Sequence, residues 1–506
     1  MRREKTLKLI FDEKENGMNK PNIIFILADD MGAWAMHCAG TQEIYTPNLD
    51  RLAREGVRFE NFFCASPVCS PARASILTGT IPSAHGVHDW LRSGNVDAVK
   101  YAEAGKENPY GGYADEKEPI QYLKSNVTYT DVMRESGYNV ALSGKWHLGD
   151  SVHPQHGFSK WYTIGKGGCC YYHPDIVEDE CITVRHGEYV TDLITDKAVS
   201  FIDELSGEDA PFYLSVHYTA PHAPWGRDQH PERLIEKYEK CTFDEIPELP
   251  DHLDSTVSNR YTNPISQTPR RREFLTGYYA AITAMDEGIG RILEKLDDLK
   301  LTENTVVIFT ADNGMSMGHH GIWGKGNATF PMNMYDTAVK VPFIIRWPNH
   351  APKGIVSDEM VSAYDLFPTF LEMIGSKSQI ARNLPGKSFL KAICGEESED
   401  KEVVVFDEYG PVRMIRNKTV KYIHRYPYGP NELYDLKNDP GEEVNLIDDE
   451  GWAETVIKMR TKLQSCFLTY AQPEIDGLYE GVTGSGQMCM AGVYADRKEV
   501  YPPVGT

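Results

Sequence analysis

The chain has 506 residues, a length that favours about two domains, one of them large. Its composition is that of a globular protein, with 41% hydrophobic and 25% charged residues. The net charge of −22, from 52 basic and 74 acidic residues, argues against nucleic acid as the main partner, because phosphate binding needs clusters of Lys and Arg.

From the sequence we expect neither a membrane span nor a secretory signal peptide. There is no apolar run of about 18 residues, so we expect no membrane span and no membrane partner. Residues 1–19 form an N-terminal extension that begins with basic residues but has no apolar stretch long enough for a signal peptide. We therefore expect a cytoplasmic protein. Its ten cysteines are scattered, and we expect most of them to be reduced.

Short apolar runs predict buried, mostly parallel strands. They are NIIFILA (22–28), NVALSG (139–144), FYLSVHY (212–218), TVVIFTA (305–311) and VPFIIRW (341–347). Helical patterns alternate with them. In TPNLDRLAREG, Thr46 is placed as N-cap, Pro47 as the first helical residue and Gly56 as the stop. A longer amphipathic helix is predicted over 272–300.

This alternation predicts an α/β fold, a large mostly parallel sheet sandwiched by helices. It fades after 362–375, and the acidic stretch CGEESEDKE (394–402) marks a boundary. We therefore predict a large domain over 20–394. A smaller α+β domain follows over 395–506, with a helix near 452–470 and an irregular Gly-rich and Tyr-rich tail.

Polar residues follow four of the apolar runs, where an open parallel sheet binds its ligands. They are Asp29 and Asp30, then Lys145 and His147, then His222, then Asp312 and Asn313. The carboxylates and the amide are hard oxygen donors, which suit Ca²⁺ or Mg²⁺ better than zinc. A solvated turn or a helix cap is the alternative for a single Asp-Asp pair, and a satisfied buried ring is the alternative for a single His.

Cations would complete such a site. Arg73, Lys145, Lys325, His147 and His222 add positive charge and proton-transfer groups. Cations beside a divalent metal suit a tetrahedral oxyanion such as sulfate or phosphate.

The stretch CSPARASILTG (69–79) places Cys69 at the start of a predicted helix that Gly79 ends. As a free thiol, Cys69 would have a lowered pKa there. Local physics leaves three possibilities: a reactive thiolate, a metal ligand, or a small side chain at a crowded turn. A zinc site is disfavoured because no second cysteine has ligand spacing with a His pair.

CSPAR followed by ASILTG resembles the signature of the type I sulfatases, C-x-P-x-R with a downstream T-G. Further segments resemble that family in its own order: PNIIFILADDMG, TPNLDRLAREGVRF, SGKWHLG, APHAPW, TADNG, WGKG, VKVPFIIRWP, DLFPTFLEMIG and ELYDLKNDPGEEVNL. Together they cover roughly residues 20 to 450, and the ordered set is far more specific than any one motif. The resemblance implies an alkaline-phosphatase-like fold and hydrolysis of sulfate monoesters.

The resemblance also implies roles for individual residues. Cys69 would be converted to formylglycine, whose hydrated aldehyde supplies the nucleophilic oxygen; this implies a maturation enzyme as a partner. One divalent cation, Ca²⁺ in preference to Mg²⁺, would be bound by Asp29, Asp30, Asp312 and Asn313, with the residue at Cys69 beside it. Arg73 and Lys145 would stabilise the modified residue.

The remaining implied roles concern charge and proton transfer. Lys145, Lys325 and His222 would hold the sulfate. His222, with Lys325, would protonate the leaving alcohol, and His147 would accept the proton that accompanies sulfate release.

Substrate recognition is expected where the resemblance is weak. The segments VHDWLRSG (87–94) and GKGGCCYYHPD (165–175) carry aromatic and polar side chains, among them His88, Asp89 and Trp90. His319 and His320, in DNGMSMGHHG, are candidates for the same pocket, and packing is the alternative for His319. These features suit a sulfated sugar or an aryl or steroid sulfate. The alternatives are a phosphonate monoester or phosphodiester hydrolase on the same scaffold, or a non-catalytic binder of sulfated glycans if Cys69 is unmodified.

Overall fold

A computed structural model describes residues 20–257, 264–266, 269–376, 378, 383–396, 401–407, 411–495 and 500–501. The predicted extension over 1–19 lies outside these residues. Among the helices described, none combines the length and apolarity needed to cross a membrane.

The strands, in chain order, are β1 (Asn22–Ala28), β2 (Val57–Phe63), β3 (Asn139–Gly144), β4 (Lys160–Ile164), β5 (Asp175–Glu178), β6 (Cys181–Val184), β7 (Phe212–His217), β8 (Thr305–Ala311), β9 (Ser316–Met317), β10 (Trp323–Gly324), β11 (Phe343–Arg346), β12 (Ile355–Ser362), β13 (Val403–Asp407), β14 (Val412–Arg416), β15 (Val420–Arg425) and β16 (Glu432–Asp435).

The α-helices are α1 (Pro47–Glu55), α2 (Cys69–Thr78), α3 (Pro82–His85), α4 (Ala102–Glu107), α5 (Tyr129–Glu135), α6 (Val190–Ser206), α7 (Glu232–Glu239), α8 (Pro269–Asp298), α9 (Asp336–Val339), α10 (Leu366–Met373), α11 (Leu390–Ile393) and α12 (Ala453–Tyr470).

The large sheet has ten strands in the order β12-β2-β11-β8-β1-β7-β3-β4-β5-β6. Its centre, from β8 to β4, is parallel. Every residue of β1, β7 and β8 is buried, so both faces of the central strands are covered. The predicted α/β fold with a large, mostly parallel sheet is therefore confirmed.

The run at 341–347 does not form a parallel strand. β11 pairs antiparallel with β8 on one side and with β2 on the other. Continuous apolarity reports that both faces of a strand are buried, and a buried antiparallel strand inside a mixed sheet has the same pattern. The run was correctly predicted as a buried strand, but the predicted parallel orientation was wrong.

A second, antiparallel sheet of the order β13-β14-β15-β16 follows in the C-terminal part. Along β13 the side chains alternate between two cores, as strand geometry requires. Val403 and Val405 join the core of the large sheet, whereas Val404 and Phe406 join a smaller core with α12. The smaller C-terminal α+β unit is thus present. Its boundary at 394 stays a prediction, because the large core continues into β13.

The α12 helix is held to this sheet by few side chains, so truncating one of them should be costly. Leu463 is fully buried in the smaller core. We expect Leu463→Ala to lower the free energy of unfolding by about 2–5 kcal/mol, through lost burial and the cavity left behind. Leu468 on the same helix is 88% exposed, and Leu468→Ala should change the free energy by less than about 0.5 kcal/mol. Urea unfolding followed by circular dichroism compares the two; equal effects would contradict this packing.

Candidate active site

The polar residues that follow the central strands meet at one edge of the large sheet. Ala28 at the end of β1 pairs with Ala311 at the end of β8, so the residues after these strands lie at the same level. The Asp312 amide donates to the carbonyl of Ala28 at 3.1 Å, and the Asp30 amide donates to Asp312 Oδ1 at 3.1 Å. The strand ends therefore bring together side chains that are far apart in the sequence.

The carboxylates form a buried cluster with the chemistry of a metal site. Single oxygens of Asp29, Asp30 and Asp312 lie within 4.8 Å of one another. Asp29 Oδ1 and Asn313 Oδ1 are buried without a hydrogen-bond partner, which is costly unless a cation is bound there. Burial, and then the neighbouring Asp29 carboxylate, raise the pKa of Asp312 to about 7. A divalent cation would satisfy the oxygens and relieve this crowding, so the residues fit such an ion.

Buried cations surround the cluster. Lys145 Nζ donates to Asp29 Oδ2 at 2.6 Å, and Arg73 Nε donates to Asp312 Oδ2 at 2.9 Å. Lys325 Nζ donates to Asp30 Oδ1. Burial opposes ionisation of Asp29, but Lys145 and then other nearby cations hold the pKa of Asp29 well below its usual range. The site is therefore an array of compensated charges in a low-dielectric surrounding.

Cys69 is the first residue of α2, whose ten residues are all buried. Arg73 lies one helical turn later, so both side chains share the helix face that looks onto the acidic cluster. Cys69 Sγ lies 3.7 Å from Asp30 Oδ1 and accepts from Lys325 Nζ at 2.7 Å. Burial raises the pKa of the Cys69 thiol despite Lys145 and Lys325, so the expectation of a lowered pKa was wrong.

Two histidines line the same cavity wall as Cys69, and each donates a hydrogen bond to a backbone carbonyl from a different ring nitrogen. His147 Nε2 lies 3.2 Å from the Leu91 carbonyl, which can only accept; Nε2 therefore carries the hydrogen, and the buried Nδ1 has no partner. Burial, and then Lys145, hold the pKa of His147 well below its usual range, so this ring is neutral. His222 donates from Nδ1 to the Ala223 carbonyl at 2.7 Å, and its Nε2 lies 3.6 Å from Asp30 Oδ2.

Two of the ten described non-glycine residues with a positive φ lie at this site. Asp30 and His147 have φ values of 63° and 55°, in the left-handed region that non-glycine residues avoid. Such residues each cost about 1–3 kcal/mol and persist where the surroundings enforce them, which is frequent at functional sites.

A cavity of about 550 Å³ is lined by Cys69, His147, His222 and Lys325. This volume suits a small ligand such as one sugar ring. Six further residues of its wall come from other parts of the chain: Trp90, Arg92, Tyr110, Asp115, Lys166 and Ser485. Trp90 was a predicted substrate contact, and Lys166 lies in the predicted segment 165–175. Arg92 lies in the predicted segment 87–94, whereas Tyr110, Asp115 and Ser485 were not predicted.

His88 and Asp89, which were predicted as substrate contacts, do not line this cavity. His88 is fully buried, and burial lowers its pKa to about 4. Asp89 is fully buried as well, and its Oδ2 accepts from the Gly486 amide at 3.0 Å. The Asp89 carboxylate therefore holds the loop to the C-terminal tail. Sequence alone does not reveal which side of the loop faces the ligand.

His319 and His320 lie outside the cavity too. The His319 ring packs against Trp34 at 4.8 Å between ring centres, and the His320 ring stacks on Tyr335 at 3.7 Å. Burial lowers the pKa of each to about 4. Both rings therefore pack against other aromatic side chains, as the alternative to substrate contact for His319 had it. In segment 165–175, Tyr171 is buried against Tyr189 and donates to the His222 carbonyl at 2.8 Å, so it supports the site from behind.

Comparisons with known proteins agree with this geometry. The model of the sulfatase family matches residues 21–376, and a model described as the C-terminal part of N-sulphoglucosamine sulphohydrolase matches 318–467. The chain is 27% identical to the N-acetylglucosamine-6-O-sulfatase of Bacteroides thetaiotaomicron, over 88% of this chain and 85% of the relative.

Solved structures share the fold. A protein in complex with its substrate D-glucosamine-2-N,6-O-disulfate aligns with a TM-score of 0.71 at 25% identity, over 90% of this chain and 99% of that one. The phosphonate monoester hydrolase of Agrobacterium radiobacter aligns with a TM-score of 0.64 at 20% identity, over 89% and 96%, which shows a common fold alone. With a family match over most of its length and a site of the composition described above, the chain belongs to the sulfatase family and is a sulfuric ester hydrolase.

Proposed function

We propose that the chain is a formylglycine-dependent sulfatase that removes a sulfate ester from a terminal sulfated sugar. The observation that carries this proposal is the position of Cys69, which lies in the wall of a cavity of sugar size and next to a buried cluster of carboxylates and cations. The relative from Bacteroides thetaiotaomicron, named for a sulfated amino sugar, supports a sulfated hexosamine as the substrate class.

One divalent cation would be held by Asp29, Asp30, Asp312 and Asn313, whose hard oxygens suit Ca²⁺ or Mg²⁺. We take it to be Ca²⁺, as the resemblance to the type I sulfatases implies. When bound, such a cation stabilises negative charge on the sulfuryl oxygens. The chain's own cations act beside it. Lys325 Nζ, which reaches Cys69 Sγ, is placed to hold a sulfate oxygen, and Lys145 keeps Asp29 ionised.

Conversion of Cys69 by a maturation enzyme would supply a hydrated aldehyde whose hydroxyl is a stronger nucleophile than a buried neutral thiol. Cys69 is the first residue of the buried helix α2, and Arg73, one turn later, donates to Asp312. Because Arg73 also donates to the Lys145 carbonyl at 3.0 Å, it ties α2 to the end of β3. Its role is to hold the reacting residue and the acidic cluster in register.

The two histidines divide the proton transfers. His222 keeps Nδ1–H on the Ala223 carbonyl, which leaves Nε2 toward the cavity to carry the proton given to the leaving alcohol. His147 keeps Nε2–H on the Leu91 carbonyl, which leaves its neutral, unpartnered Nδ1 to accept a proton when sulfate is released. The backbone carbonyl that each ring binds fixes which ring nitrogen carries the hydrogen, and so assigns one histidine as general acid and the other as general base.

The test is inorganic sulfate release by protein from a host that converts Cys69, on a panel of sulfated hexosamines, galactose sulfates, a steroid sulfate and 4-nitrophenyl sulfate. We expect kcat/KM on one sugar to exceed that on the aryl ester by at least about 100-fold, since hydrogen bonds to a sugar discriminate strongly. Uniformly slow sulfate release, with faster release from matched phosphonate or phosphodiester substrates, would assign the chain to the rival chemistry.

Gly167 offers a check on the role of His147. A β-carbon at Gly167 would lie 2.2 Å from His147 Nε2, whereas one at Gly168 would come no closer than 3.8 Å, to His222. Gly167→Ala must push the His147 ring off the Leu91 carbonyl. We expect it to lower kcat by about 10–100-fold, as misplacement by about 1 Å does. Gly168→Ala is the matched control and should retain most of the activity; a similar loss in both variants would contradict this role.

A further inference from the structure

The C-terminal tail contributes directly to the wall of the active-site cavity. Gly484 and Ser485 line the cavity, although they are far in sequence from every predicted catalytic residue. The next residues run alongside the loop that carries Trp90. The Gln487 amide donates to the Trp90 carbonyl at 2.8 Å, and the Arg92 amide donates to the Gln487 carbonyl at 3.0 Å. The tail is therefore hydrogen-bonded to this loop in the manner of a short strand.

Side chains fasten the same contact. Gln487 is fully buried; its Nε2 donates to the Gly86 carbonyl at 3.1 Å, and its Oε1 accepts from the His88 amide at 2.9 Å. Asp89 accepts from the Gly486 amide at 3.0 Å. These buried polar groups are all satisfied by the loop–tail contact, so neither segment can keep its conformation without the other.

Gly486 is the point of closest approach. Its φ of 98° is one that glycine adopts freely and other residues avoid. A β-carbon there would lie 2.7 Å from Arg92 Cβ and 2.9 Å from the Trp90 ring. The tail therefore packs directly against Trp90 and Arg92, which are among the residues that line the cavity.

Arg92 and Asp115 form an ion pair in the cavity wall. Arg92 Nε donates to Asp115 Oδ2 at 2.9 Å, and Arg92 Nη1 donates to the Ser485 carbonyl at 3.3 Å. The pair carries no net charge, so it adds little attraction for an anionic group of the substrate other than the sulfate that is cleaved. It places the Arg92 guanidinium and the Asp115 carboxylate side by side in the cavity wall that Trp90 also lines. This combination matches adjacent hydroxyl groups and the apolar face of a sugar ring.

We propose that Arg92 and Asp115, held in place by the tail segment 484–487, recognise neighbouring hydroxyl groups of the sugar that bears the sulfate. The tail thereby sets the specificity of the enzyme for a sugar over an aryl sulfate. This inference rests on the proposed function and names the groups that read the sugar.

The first test is the double variant Arg92→Ala/Asp115→Ala, which removes both charges and leaves neither unpaired. The substrates are the best sugar of the panel, its deoxy analogues that each lack one hydroxyl, and 4-nitrophenyl sulfate. We expect the ratio of kcat/KM for the sugar to that for the aryl ester to fall about 100-fold or more. Wild-type enzyme should lose a similar factor on at least one deoxy analogue, and the variant should no longer distinguish that analogue from the parent sugar.

The second test separates the tail from the reacting residues. Gly486→Ala should lower the same ratio by about 10-fold or more, because Trp90 and Arg92 must move. Gly481→Ala in the same tail is the matched control, since no atom lies within 4 Å of a β-carbon there. Thermal melting monitors folding of each variant.

Equal losses on sugar and aryl esters in the double variant, or an unchanged ratio, would overturn the inference. Failure of the proposed function is distinguishable, because it is visible in wild-type enzyme as the absence of a preferred sugar in the panel.

Discussion

Cys69→Ala is expected to abolish sulfate release, with kcat lowered by at least about 10⁴-fold. The reason is covalent catalysis: the variant has no side chain that a maturation enzyme could convert at the position that contacts both Lys325 and Asp30. Loss of the nucleophile cannot be compensated by the remaining positioning groups, because the residues of such a site act as a unit. The readout is the rate of sulfate release from the preferred sugar of the panel.

Cys64→Ala is the matched control for this substitution. Cys64 is also fully buried, but its Sγ contacts the carbonyl of Ala338 and not the acidic cluster. It should retain activity within a few-fold. Both variants should melt cooperatively near the wild-type temperature and should still gain thermal stability when Ca²⁺ is added. Near-normal turnover in Cys69→Ala would refute the proposed mechanism.

Loss of the amide oxygen of Asn313 should be nearly as severe. Asn313→Ala removes one of the two oxygens of the acidic cluster that are buried without a partner, and unlike a change at Asp29 it leaves no lysine unpaired. We expect the concentration of Ca²⁺ needed for half-maximal activity to rise at least about 100-fold. Substitution of residues that only support a metal ligand lowers metal affinity by about 10–100-fold, and loss of a ligand should cost more. At limiting Ca²⁺, kcat/KM should fall by at least about 10³-fold.

The metal is measured independently of activity. Wild-type protein treated with a chelator should lose both turnover and thermal stability, because the buried oxygens Asp29 Oδ1 and Asn313 Oδ1 then have no partner. Added Ca²⁺ should restore both, and Asn313→Ala should need far more of it in the melting experiment. Full activity of chelated wild-type protein, with no bound metal by elemental analysis, would contradict the metal site.

Much of the site could be predicted from the sequence because the topology of an open parallel sheet is strict. Once a run such as 22–28 is recognised as a buried strand, the residues after it must lie at the carboxyl edge, beside those that follow 305–311. Asp29 and Asp312 therefore came together as expected. The helix that starts at Cys69 and ends at Thr78, just before Gly79, was equally well marked by its proline and glycine.

The substrate wall could not be predicted in the same way. Arg92, Asp115 and Ser485 lie in irregular segments, whose positions depend on hydrogen bonds such as those of Gln487 and not on a repeating pattern. His88 and Asp89 carry the expected chemistry, yet both are buried away from the cavity, and the Asp89 carboxylate binds the Gly486 amide instead. Burial also reversed the expected shift of the Cys69 pKa, because desolvation of a thiolate outweighs the neighbouring cations.

The most direct measurement relates sulfate release to the state of Cys69 in the same samples. The chain is produced with increasing amounts of a formylglycine-generating enzyme, the converted fraction of the peptide containing Cys69 is determined by mass spectrometry, and sulfate release from the preferred sugar is assayed. We expect specific activity to rise in proportion to the converted fraction and to extrapolate to zero when every Cys69 is a thiol. Full activity in protein whose Cys69 is entirely unconverted would contradict a formylglycine-dependent sulfatase.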